Sequence, residues 1–152
     1  MVDVEIIEFH PKHLEIAKLR EEEIRTLIEI KDAYKKIESF AAASRQAVTM
    51  LCAGRIITIA GFIQVCEGVG EVWQIPTLYV SQHTLLYSKT LRGYVETIAK
   101  TFKYHRLQTI CPADSLHERW MKFLKFEREG TMKQYTAFKT DYHMYARLFS
   151  WA

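Results

Sequence analysis

The chain has 152 residues, a formal net charge of +3 and three cysteines, enough for one domain that buries about two thirds of the surface exposed by its unfolded form. It opens on MVDVEIIEFH, with no basic region ahead of an apolar run, and no apolar stretch reaches the roughly 20 residues of a membrane span. These features predict a soluble, unsecreted, cytoplasmic protein with no membrane partner, and Cys52, Cys66 and Cys111, set among apolar neighbours, read as core residues of a reducing compartment rather than a disulfide framework.

Charge is unevenly placed. Met1 to Leu86 carries 9 Lys+Arg against 12 Asp+Glu, and Tyr87 to Ala152 carries 12 against 6. The basic half suits an anionic ligand or partner, although lysines also serve simply to solvate helix faces.

Val4 to Phe9 is a short strand that His10-Pro11 stops, because proline has no N–H to give a ladder. From Lys12 the apolar residues Leu14, Ile16, Leu19, Ile24, Leu27 and Ile28 recur at helical spacing, with Glu21, Glu22 and Glu23 on the wet side. Lys31 to Gln46 continues as a second helix with Ala33, Ile37, Phe40 and Ala41 on one side. The period then changes. VTMLC, RIITIAGFIQVC and EVWQIPTLYV are three β-rich runs separated by Ala53-Gly54 and Glu67-Gly68-Val69-Gly70, which predicts an antiparallel meander. Pro76 inside the third run requires an unpaired side or a bulge, and a ligand could complete the sheet there.

Leu85 to Tyr104 reads as a long helix with Leu85, Leu91, Tyr94, Val95, Ile98 and Phe102 as its buried stripe, and Arg106 to Cys111 as a strand ended by Pro112. A strand, a helix and a strand make a crossover, so EVWQIPTLYV and RLQTIC should run parallel. Ser115 and Glu118 are spaced as a capping box for a last helix that packs Leu116, Trp120, Phe123 and Leu124 on the sheet, and Gly130 is the expected exit turn. Two alternating strands should close the chain. Met132, Gln134 and Thr136 oppose Lys133, Tyr135 and Ala137 in the first, Tyr142, Met144, Ala146 and Leu148 share a face in the second, and Thr140-Asp141 turns between them.

This order, with the corner Phe126-Glu127-Arg128-Glu129-Gly130, resembles the acyl-CoA N-acyltransferase (GNAT) fold over nearly the whole chain. The resemblance implies a single α/β (α+β) domain over residues 1–152. Its sheet would be mixed, mostly antiparallel and of about seven strands, with helices on both faces in the order β-α-α-β-β-β-α-β-α-β-β. It also implies acetyl-CoA or another acyl-CoA as cofactor and an amine as acceptor. The backbone of Ile75, Leu78 and Val80 matches the place where the pantetheine arm lies, and Ser88, Lys89 and Thr90 match the pyrophosphate loop. That loop departs from the family pattern: Ser88 and Thr90 fill glycine slots, Leu85 fills a polar one, and Ser88 reads equally as a helix N-cap. Met121 occupies the slot of the usual tyrosine acid, and Lys125 stands where the corner usually has glycine. Glu71 is then the candidate base, with Tyr79 or His117 for acid or base work.

The string His117-x-Arg119-Trp120-Met121-Lys122, the missing glycine loop and the segment from Trp73 through the long helix are similar to the GNAT-like internal virion proteins of short-tailed bacteriophages. That narrower resemblance implies a head- or core-associated structural protein, in the host cytoplasm or the virion. Its partners would be virion or host proteins, with His117, Arg119 and Lys122 in interaction roles.

Other chemistries are weaker. His10-x-x-His13 has metal-binding spacing but no further ligand and Pro11 between, so no metal is expected. No Gly-x-Ser-x-Gly, Walker loop or Cys-x-x-Cys occurs. Nucleic acid is disfavoured as a partner, since Trp120, Tyr135 and Tyr145 suit a core better than a stacking platform. Phe149 and Trp151 could make a homodimer edge. Two readings stay open: an N-acyltransferase with an atypical phosphate loop, and a catalytically silent protein of the same fold.

Overall fold

The β-rich runs of the sequence become strands of one mixed sheet in the computed structural model, which describes residues 3–20 and 33–151. In chain order the elements are β1 (Val4–Glu8), α1 (His13–Ile16), α2 (Ala33–Ala43), β2 (Gln46–Cys52), β3 (Arg55–Cys66) and β4 (Val69–Pro76). After a 3-10 turn at Leu78–Gln82 come α3 (Thr84–Phe102), β5 (Arg106–Pro112), α4 (Ser115–Phe123), β6 (Glu127–Met132) and β7 (Tyr142–Leu148). The sheet order is β1-β2-β3-β4-β5-β7-β6. β1 with β2, β2 with β3, β5 with β7 and β6 with β7 are antiparallel. β4 and β5 are parallel, as the crossover through α3 requires.

The chain forms two compact units, Met1–Ile63 with Trp73–Tyr87 and Gln64–Val72 with Ser88–Ala152. In the first, Leu14, Leu19, Ile37, Ile56, Ile59 and Ile75 form a buried cluster. Trp73 packs against that cluster and donates its indole N–H to Ser44 Oγ at 2.8 Å. The helix expected from Lys12 ends after one turn, at Ile16, because Ala17 turns extended. Lys18 O then accepts from Leu78 N–H at 2.7 Å, and Leu19 bridges Thr77. Chain after Pro76 needs a partner, and this segment supplies it. The helical reading across Glu21, Glu22, Glu23, Ile24, Leu27 and Ile28 lies outside the described residues. Pro76 is not a bulge inside a longer strand but the last residue of β4. Thr77 follows fully buried, giving its N–H to Ile57 O and its hydroxyl to Ile56 O.

In the second unit, Leu91, Val95, Ile98 and Ala99 of α3 are buried, as are Met121 of α4, Leu124 at its C-terminal cap and Leu107 of β5. Each fully buried aliphatic side chain of this kind contributes about 1.5–3 kcal/mol. Helix α4 is capped by Asp114, not Ser115: the Asp114 carboxylate accepts from His117 N–H. A carboxylate is the stronger acceptor for an orphan amide at a positive helix end. The exit turn falls at Lys125, with φ 65°, and not at Gly130, which lies inside β6. Consequently β6 begins directly after the corner, and Lys133, Gln134, Tyr135, Thr136 and Ala137 form part of the β6–β7 connection rather than a strand. Among the described residues no helix is long and apolar enough to cross a membrane.

Candidate functional site

The parallel ladder between β4 and β5 is three residues long, Val69–Glu71 against Arg106–Gln108. At the next residue a side chain takes over, with Thr109 Oγ1 donating to Val72 O at 2.9 Å. Glu71 is therefore the last ladder-paired residue of β4, half-buried, and among the described residues nothing pairs with its carboxylate. It shares a face with its partner Gln108 and hence with Ala146 of β7.

Helix α4 covers the opposite face. Arg147 donates to Leu124 O at 3.2 Å and to Glu96 Oε1 of α3 at 2.9 Å. Burial favours the neutral form of Glu96, but the Arg147 bond and charge, with Arg92 and Lys125 adding to them, outweigh it and lower the pKa. On this face lies Tyr145, buried, with a hydroxyl that makes no hydrogen bond among the described residues. Burial, then Cys111 and Glu118, push its pKa up. The Cys111 thiol is pushed up to about 12 by burial and then by Asp114, so it is no nucleophile.

His117 stands in the first turn of α4, its side chain 20% exposed. Its Nδ1 lies 2.8 and 2.9 Å from the two carboxylate oxygens of Asp114. Burial alone would raise the Asp114 pKa, but the backbone and ring bonds from His117 and its charge bring it below the ordinary value of 3.8. An ionised carboxylate only accepts, so Nδ1 carries the proton and Nε2 is turned away from the pair. The spacing Asp114-x-x-His117 was available in the sequence as an N-cap signature, and the reading of Ser115 as the cap hid it.

The other expected site residues are placed as follows. Ser88 is in the second turn of α3, not at its N-cap, because the helix starts at Thr84. It is buried, and its hydroxyl accepts the Trp120 indole N–H at 3.1 Å. Lys89 is exposed and Thr90 half-buried on the same turn. Leu78 N–H is given to Lys18 O and Val80 N–H to Thr77 O, whereas Ile75 is buried in β4. The Arg55 guanidinium lies 4.7 Å over the Tyr79 ring. Met121 is buried in the core.

An acyl-CoA fits these residues in part. The end of the ladder at Val72 and Thr109 suits an amide-bearing arm, while the 85–90 segment does not suit a diphosphate cradle, since helix and a buried, bonded serine replace the glycine loop. Among the described residues no cluster of three or more His, Cys, Asp or Glu could hold a metal. His13 Nδ1 instead accepts from His10 N–H at 3.2 Å and lies 2.7 Å from the buried Thr49 hydroxyl.

No protein-family model and no curated protein matches the sequence. Solved structures do. The chain superimposes on a GNAT-family acetyltransferase from Bacillus anthracis with a TM-score of 0.70 at 17% identity, over 95% of this chain and 94% of that one. Ard1 from Thermoplasma volcanium gives a TM-score of 0.77 at 11% identity, over 97% and 99%. The chain has the GNAT fold. RimL, a ribosomal alpha-N-protein acetyltransferase in complex with coenzyme A, gives 0.67 at 14% identity, over 96% and 94%. Lys125, at the corner after α4, has φ 65°.

Proposed function

We propose that this protein is an N-acyltransferase that takes its acyl group from acyl-CoA and passes it to an amine. The observation that carries the reading is the short β4–β5 ladder, which ends at an unpaired, half-buried carboxylate, Glu71, in a chain of GNAT fold. Glu71 takes the proton of the attacking amine, and the backbone at Val72, where the ladder ends, holds the pantetheine arm and carbonyl. The diphosphate is left to the exposed Lys89 and to solvent, so affinity rests mainly on the pantetheine end. Acetyl-CoA incubated with butylamine, followed by chromatography of the acetylated amine, tests the reading. Transfer above the protein-free rate and its loss in Glu71→Gln support it, and no transfer counts against it.

A second reading has its own support. Met121 cannot carry a proton, and Trp120 occupies the hydroxyl of Ser88 where a phosphate contact was expected. These favour a catalytically silent GNAT-fold protein that acts through protein partners. It predicts a stable protein complex that is indifferent to coenzyme A.

A further inference from the structure

The second unit carries both its helices on one face of its strands. Arg147 of β7 bonds to Leu124 O at the end of α4 and to Glu96 of α3, and Trp120 joins the two helices through Ser88. Side chains alternate across a strand, so the pairing register sorts the residues of the opposite face into rows. The first row holds Glu71 of β4, Gln108 of β5 and Ala146 of β7. Ile110, Met144 and Gly130 make the second, and Pro112, Tyr142 and Met132 the third. Among the described residues of this unit, no helix covers these rows.

The rows change character along the strands. The first presents the unpaired Glu71 carboxylate, whereas Ile110, Met144, Tyr142 and Met132 of the next two are uncharged and half-buried. Gly130 opens the second row, because a Cβ added there would meet no atom within 4 Å. Tyr135, 51% exposed, stands with its ring 5.3 Å from that of Tyr142 and gives the third row an aromatic end. Rows lie two residues apart, roughly 7 Å, so this apolar furrow runs about 14 Å from the carboxylate.

Charge on the same face decides what the furrow refuses. Its one cation among the described strand residues is Arg106, on the far side of Gln108 from the apolar rows. The guanidinium is occupied, giving two bonds to Glu129 at 2.6 and 2.9 Å and one to Gln108 Oε1 at 3.0 Å. A carboxylate on the acceptor would meet Glu71 and no free cation, and a half-buried charge without a partner is costly.

Resting on the acyltransferase reading, we propose that the acceptor is a primary amine on an apolar body without a carboxylate, an alkylamine or arylalkylamine. Its nitrogen lies at Glu71 and its chain passes Ile110, Met144 and Gly130 towards Tyr142. The C–N bond forms at the thioester carbonyl carbon, the nitrogen's proton passes to Glu71, and the C–S bond breaks with its electron pair on sulfur, which solvent protonates. Gly130 is the position that sets chain length. Its φ lies outside the left-handed region, so a larger residue fits the backbone there and fills the furrow.

Acetyl transfer from acetyl-CoA to butylamine, hexylamine, phenethylamine, phenylalanine and hexamethylenediamine is compared as kcat/KM in wild type and Gly130→Leu. Hexylamine should exceed butylamine on the order of 10-fold, since each buried methylene is worth about fourfold. Phenethylamine should exceed phenylalanine by about 10-fold or more. Gly130→Leu should abolish the preference for hexylamine over butylamine, a change of ratio that partial unfolding does not produce. Equal wild-type rates with butylamine and hexylamine, or with phenethylamine and phenylalanine, overturn the apolar acceptor and leave the acyltransferase standing. Faster transfer to hexamethylenediamine than to hexylamine does the same, and assigns the far end to a carboxylate such as Glu127. Absence of transfer to every one of these amines overturns both.

Discussion

The Trp120 indole N–H donates to the Ser88 hydroxyl at 3.1 Å, tying α4 to the second turn of α3. Ser88 is thereby a packing residue of the second unit. Ser88→Ala removes the acceptor of a part-buried donor and should cost about 1–2 kcal/mol, offset by a few tenths from better helix propensity. Urea denaturation of the two proteins measures it, and an unchanged midpoint would show that the bond contributes nothing.

Gly61 in β3 has no room for a side chain. A Cβ there would stand 2.7 Å from Gln46 O and 2.8 Å from the Trp73 ring. The carbonyl belongs to the β2 backbone, paired with β3, and cannot yield cheaply. Gly61→Ala should destabilise by about 1–3 kcal/mol, read as a lower Tm.

Lys125 holds the exit from α4 at φ 65°. A side chain in the left-handed region costs about 1–2 kcal/mol, part of which glycine returns through its freer unfolded chain. Lys125→Gly should therefore raise stability by about 0.5–1 kcal/mol in the same urea titration, and destabilisation would show that the lysine side chain holds the corner.

Burial, then the neighbouring His10, lower the pKa of His13 below 6.5. A histidine with a lowered folded pKa contributes stability above its unfolded value, and that contribution is lost as pH falls from 6.5 through the folded value. Unfolding midpoints taken at about pH 7.5 and about pH 5.5 should show a drop in the wild type and a smaller one in His13→Gln. Equal drops would assign the loss to other groups.

Strands β1 to β4, the parallel crossover and β7 were legible because period-two runs bounded by glycine turns and Pro112 leave few alternatives. Three features were not. Asp114 and Ser115 are adjacent and both good caps, so spacing alone could not choose, and the bond from His117 N–H to the Asp114 carboxylate decided it. Gly130 looked like the turn because glycine is the usual left-handed residue, whereas Lys125 bears that conformation under tertiary constraint. The segment at Leu19 has helical spacing but is drawn into a bridge with Thr77, a long-range partner no local window contains. In the candidate site, the closure of Ser88 by Trp120, 32 residues away, was not legible from local spacing.

Calorimetric titration of the purified protein with acetyl-CoA and with free coenzyme A tests the central claim most directly. Micromolar binding, about −8 kcal/mol, is expected of an acyltransferase that holds the pantetheine arm at the ladder end. No heat of binding from a folded protein would contradict the account and leave the silent GNAT-fold reading in its place.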